Sequence, residues 1–143
     1  MPYRFLEDAF TADVGFIASG ATLDECFRAA ADATLEVMLA NAAVLQPREQ
    51  RVIRVENAAL DLALLNFLEE LVYHKDTEQL LLRIDHVHVE PQADRWVVDA
   101  TARGEPIDPT RHELSADVKA VTLHRLNVQR TDGEWQATVV LDI

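Results

Sequence analysis

The sequence holds a single cysteine, Cys26, among 143 residues. No disulfide can form within the chain, and a reducing compartment, the cytoplasm, is its natural setting. It also lacks any apolar run near the ~20 residues that a transmembrane helix needs, so no membrane association is expected. Met1-Pro2-Tyr3-Arg4 carries one basic residue and no apolar stretch, which does not resemble a secretory signal. Glycine is scarce, and Gly15, Gly20, Gly104 and Gly133 fit neither a P-loop nor a dinucleotide-binding loop. There is no G-x-S-x-G elbow, and Ser19 and Ser115 have no signature of a nucleophile around them. Basic residues are few: 13 Lys and Arg against 25 Asp and Glu leave a formal charge of −12. Such a surface repels phosphate on average, so direct binding to a nucleic-acid backbone is not expected. A basic protein partner or a metal suits the charge better.

What is present suits a packed core. The hydrophobic fraction is 49%, the length is that of one domain, and no linker, repeat or low-complexity tract interrupts residues 1–143. Val14-Gly15-Phe16-Ile17-Ala18-Ser19 reads as a strand stopped by Gly20. Thr22-Leu23-Asp24-Glu25 has the capping-box pattern that opens a helix running to about Leu39. Its apolar residues recur at three- and four-residue intervals, and Cys26 falls among them as a small core residue. A strand over 52–56 precedes a second helix over 58–74, with Asn57 as N-cap and Leu60, Leu64, Leu68 and Leu71 as its stripe. His74 and Lys75 near the end of this helix complement its dipole.

From Leu80 the period becomes two. Leu82, Ile84, His86 and His88 are assigned to one strand face, and Trp96, Val98, Ala100 and Ala102 to one face of the next strand. Residues 104–109 read as a loop from their Gly and Pro content, and 118–128 as a long strand with Lys119 in its middle. Asp132-Gly133 then turns the chain into a final strand over 134–141. The whole predicts an α+β fold, a two-layer sandwich of a mainly antiparallel sheet and two amphipathic helices.

Two constellations carry chemistry. Asp13 stands at the mouth of the first good strand, and Asp142 lies one residue from the end, beside the Ile143 carboxylate. If the two ends meet, three carboxyl groups converge, and converging anions call for a hard cation or a basic side chain. Spacing alone equally allows Asp13 to cap a turn and Asp142 to be solvated. Lys119 is either solvated in the same way or paired with Asp13, Asp142 or a partner's phosphate-bearing site. The other constellation is His86-Val87-His88, two imidazoles spaced as in some zinc sites, with His112 and His124 as further ligands. With His124 the pair would make a small metal-dependent hydrolase; exposed histidines on an outer sheet face are the alternative.

In succession, several stretches resemble the archease family. Thr11-Ala12-Asp13-Val14-Gly15 is similar to its His-Thr-Ala-Asp-[Ile/Val]-Gly opening, with Ala9 and Phe10 where the family usually has Asp-His. Thr22-Leu23-Asp24-Glu25-Cys26-Phe27 resembles its Thr-Leu-Glu-Glu-Ala-Phe helix start. The run from Leu64 through Leu65-Asn66-Phe67-Leu68-Glu69-Glu70-Leu71-Val72-Tyr73 resembles its second helix. Gly104-Glu105, Val118-Lys119-Ala120-Val121-Thr122 with His124, and Asp142-Ile143 complete the match. The resemblance implies a non-enzymatic accessory protein of an RtcB-type RNA ligase in tRNA splicing and RNA repair, one that promotes guanylylation and multiple turnover. It also implies a divalent metal (calcium, magnesium or manganese) on Asp13 and Asp142 with Ile143 close by. On that resemblance Asp8 stands in for the missing acidic residue, with Lys119 and His124 as supporting or partner-facing groups.

Overall fold

The computed structural model describes residues 2–6 and 13–143, and their order is β1 (Tyr3–Phe5), β2 (Asp13–Gly20), α1 (Leu23–Met38), β3 (Glu49–Asn57), α2 (Leu60–Glu78), β4 (Leu80–Gln92), β5 (Arg95–Pro106), β6 (Ala120–Val121), β7 (Asn127–Thr131) and β8 (Glu134–Asp142). Asp8, Ala9, Phe10, Thr11 and Ala12 lie outside the described residues. The α+β fold anticipated above is present, with its antiparallel strands divided between two sheets. In the larger, β1, β2 and β8 follow one another, and β6 and β7 share the far edge of β8. The smaller has the order β3-β5-β4. Helix α1 packs on β2 of one sheet and β4 of the other, and α2 lies across β3 and β4. The helices meet through Phe27 and Phe67, whose stacked rings are 6.0 Å apart.

Helix α1 begins where its sequence says. Thr22 Oγ1 accepts the Glu25 N–H at 3.1 Å, and the Glu25 carboxylate reaches back to the Ala21 N–H at 2.8 Å, one residue beyond the usual capping-box partner. A cap of this kind contributes about 1 kcal/mol. Helix α2 departs from expectation at both ends. Asn57 accepts the Ala59 N–H instead of capping the helix, and α2 runs on to Glu78, closed by Gln79 in the left-handed conformation (φ 54°). Lys75 stays in the last turn, where it complements the dipole, and is buried there.

Three further corrections concern the strands. In β4 the register against β5 shifts between Ile84 and His86, so Asp85 is an extra residue and the alternation inverts. Leu82 and Ile84 face the core before the bulge; after it Val87 and Val89 do, leaving His86 and His88 exposed. Arg28 of α1 occupies the bulge by donating to the Ile84 and Asp85 carbonyls, both at 3.1 Å, and Asp24 accepts the Val89 N–H at 2.8 Å. Helix α1 thus blunts the open edge of β4. The long strand over 118–128 is broken: Lys119 precedes β6, and residues 122–126 form a turn with Arg125 at φ 57° before β7 begins. At the β7–β8 hairpin Asp132 and Gly133 both have positive φ, as a two-residue primed turn requires.

Gly104, Glu105 and Pro106 belong to β5, not to a loop. A Cβ at Gly104 would lie 1.7 Å from the Leu81 carbonyl oxygen, so only glycine lets β4 and β5 approach there. Glu105 beside it is buried. It accepts the Gln46 N–H at 2.7 Å and bonds to Arg111 and to His112 Nε2 (3.2 Å). Because His112 Nδ1 accepts the Asp108 N–H at 2.8 Å, the ring proton sits on Nε2 and is donated to Glu105. Burial alone would raise the Glu105 pKa, but Arg111, the Gln46 amide and His112 bring it down to about 2. Glu105 therefore ties the 107–113 segment to the sheet. Gly104→Ala should lower stability by at least about 3 kcal/mol in urea unfolding, since backbone, not a yielding side chain, opposes the methyl group; a loss below 1 kcal/mol would show that the strands can separate freely.

Candidate metal centre

Strands β2 and β8 run antiparallel in a register that sets Asp13 directly opposite Asp142. On the other side of β8, Ala120 is opposite Asp142, and the Lys119 N–H donates to the Asp142 carbonyl at 2.8 Å. Residues directly opposite in an antiparallel pair present their side chains on one face, so the two carboxylates stand side by side. Their neighbours Val14 and Leu141 point the other way, where Leu141 is fully buried against α1. Both aspartates are half-buried. Among the described residues neither carboxylate has a hydrogen-bond donor or a basic partner. Like charges in this position are destabilising, and the β2–β8 ladder keeps them there.

The side chain of Ile143 packs against the core in a groove that Val14, Phe5, Val37 and Ala116 also line. It therefore follows Asp142 at the same edge of the sheet. Lys119 is exposed and joins this edge through its backbone, without an ion pair to either aspartate among the described residues. His124 is exposed in the 122–126 turn, its N–H on Thr122 Oγ1 at 3.2 Å. That turn is fastened to β8, because Thr122 donates both its N–H (3.0 Å) and its hydroxyl (2.9 Å) to the Val140 carbonyl. Among the described residues no group of three or more His, Cys, Asp or Glu side chains gathers as a metal site. The aspartate pair supplies two carboxylates.

The histidines do not converge. His86 and His88 lie on the outer face of β4 in the three-stranded sheet, His124 beside β8 in the other, and His112 is buried against Glu105. His88 is held between Asp24 (3.0 Å) and Glu90 (3.3 Å), which raise its pKa above the ordinary imidazole value. It ties α1 to β4. Cys26 is buried as expected, its thiol against the Ala18 carbonyl, and burial with nearby Glu134 pushes its pKa up to about 12.

Lys75 is the group that the sequence reading missed. Its ammonium, 6% exposed, donates to the Val118 carbonyl at 2.8 Å and pairs with Asp76 (2.8 Å) and Asp117. Burial would lower its pKa, yet the bonds to Asp117 and Asp76 outweigh it and the shift is upward. The signal was available: Lys75 falls four residues after Leu71 and seven after Leu68, inside the apolar stripe of α2.

The Archease protein family (MTH1598/TM1083) model matches residues 3–143. The chain belongs to the archease family. A protein archease from Pyrococcus abyssi is 38% identical over 134 residues, 93% of this chain and 94% of its own. One from Methanopyrus kandleri is 33% identical across the full length of both. Among solved structures, Methanobacterium thermoautotrophicum protein 1598 superposes with a TM-score of 0.85 at 33% identity, covering 99% of each chain. The crystal structure of an archease, possible chaperone, from Thermotoga maritima has the same fold at a TM-score of 0.64 and 18% identity, covering 94% of this chain and 93% of its own.

In archease terms, Asp13 of the opening motif and Asp142 of the closing one are neighbours on adjacent strands, and their proximity can be tested without a ligand. Asp13→Asn and Asp142→Asn should each raise the stability of the protein in chelator by about 0.5 kcal/mol at low ionic strength, a gain that salt erases. Urea unfolding at two salt concentrations measures this; equal loss of stability at both would mean that the carboxylates do not repel.

Proposed function

We propose that this chain is a metal-binding accessory protein of an RtcB-type RNA ligase, promoting the ligase's guanylylation and multiple turnover in cytoplasmic tRNA splicing and RNA repair, and that it is not itself an enzyme. The observation that carries the reading is the pair of Asp13 and Asp142, held opposite one another by β2 and β8. Two half-buried carboxylates without a basic partner among the described residues suit a hard divalent cation such as calcium, magnesium or manganese. Asp13 and Asp142 would hold it, with the Ile143 carboxylate contributing and Asp8 lying outside the described residues. Bound there, the cation would supply positive charge able to order anionic oxygens at an interface.

The chain's own residues do the rest. The β2–β8 ladder fixes the spacing of the two aspartates, and Lys119 and His124 stand exposed at the same edge to meet a partner. With a formal charge of −12, docking on a basic protein cleft is favoured over gripping RNA directly. The hydrolase reading built on His86, His88 and His124 has no support in this geometry.

The test is guanylylation of a ligase from the same source with labelled GTP, with this protein added as wild type or as Asp142→Ala. Wild type should stimulate the reaction, and the variant, folded, should lose at least about tenfold of that effect. Equal stimulation by both would remove the carboxylate pair from the mechanism, and no stimulation by wild type would remove the ligase reading altogether.

A further inference from the structure

A chain of hydrogen bonds links α2 to the backbone of Asp142. The Lys75 ammonium enters from the last turns of α2 and takes the Val118 carbonyl at 2.8 Å, together with the Asp117 carboxylate. The same peptide group carries the Lys119 N–H, which donates to the Asp142 carbonyl at 2.8 Å. Two hydrogen bonds on either side of one peptide link therefore join α2 to the residue that bears the second carboxylate. An apolar side chain at position 75 would continue the stripe of Leu64, Leu68 and Leu71 and would avoid the cost of desolvating a charge. It would offer nothing to the Val118 carbonyl. Strand β6, which pairs with β8, spans only Ala120–Val121, too short a strand to fix its own position.

We propose that Lys75 is a positioning residue for the Asp13–Asp142 pair, acting by pinning the 117–119 backbone so that β6 closes on the end of β8; this rests on the metal-binding reading above. Through Lys75, the second helix is part of the construction of the site. It holds the site ready without contributing a ligand. Asp117, whose side chain is 73% exposed, strengthens the hold from the solvent side.

Terbium luminescence titration and amide hydrogen exchange, on wild type and Lys75→Met, test this together. Leu60→Ala is the control: half-buried at the far end of α2, roughly 20 Å along the helix axis at about 1.5 Å per residue, it weakens the same helix without touching the 117–119 segment. Wild type should bind terbium. Lys75→Met should bind it about tenfold more weakly and exchange the Lys119 amide at least about tenfold faster, and Leu60→Ala should do neither. Should Lys75→Met fail to fold, Asp117→Asn, altered at an exposed position, replaces it, with smaller changes in the same direction. Unchanged exchange at Lys119 would overturn the proposal, as would faster exchange with terbium affinity intact. If wild type binds no terbium, the metal reading fails first and the positioning role falls with it.

Discussion

The antiparallel pairing of β2 with β8 is the constraint on which the rest depends. It joins the first full strand of the chain to the last, from Asp13 opposite Asp142 to Gly20 opposite Trp135. Its inner face, Val14, Phe16 and Ala18 against Leu141, Val139 and Ala137, supplies the surface on which α1 lies. Its outer face presents the two aspartates. A slip of one residue would turn a fully buried Leu141 outward and an aspartate inward, so the core that stabilises the fold also enforces the carboxylate pair. Stability and site are set by one register.

Around that ladder, longer-range interactions hold the flanking parts in place. Arg28 and Asp24 bind α1 to the edge of β4, Glu105 fastens the 107–113 segment, and Lys75 fastens 117–119. Each is a charged side chain satisfying backbone or a buried counter-charge where two elements meet. For Arg28, Asp24 and Lys75 the other side of the contact lies far away in sequence. An acidic protein with few basic residues thus uses several of them, Arg28, Lys75 and Arg111, to hold its elements together.

Much of this was legible in the sequence, because local signals and tertiary demands agree there. Thr22 opens α1, the leucine stripe is the buried face of α2, Asp132-Gly133 makes the hairpin, and the acidic residues at the two ends do meet. The failures share a different cause. The β-bulge at Asp85 comes from α1 supplying Arg28 to the strand edge, which no period-two pattern reveals. The break at 122–126 interrupts a run whose alternation is nearly perfect, because Thr122 bonds to β8 and the chain turns through Arg125. Gly104 and Pro106 look like loop signals, whereas Gly104 marks a close approach of two strands. Lys75 does lie in the last turn of α2, but its burial against Val118 and Asp117 comes from a segment more than 40 residues later, which no local pattern shows.

The central claim is that Asp13 and Asp142 form one cation site at the meeting of the two ends of the chain. Titrating calcium into isotope-labelled protein and following every backbone amide tests it most directly. Shifts confined to Asp13, Val14, Lys119, Ala120 and residues 141–143, absent in Asp142→Asn, are the result this account requires. Shifts centred on His86 and His88, or none at millimolar calcium, would contradict it.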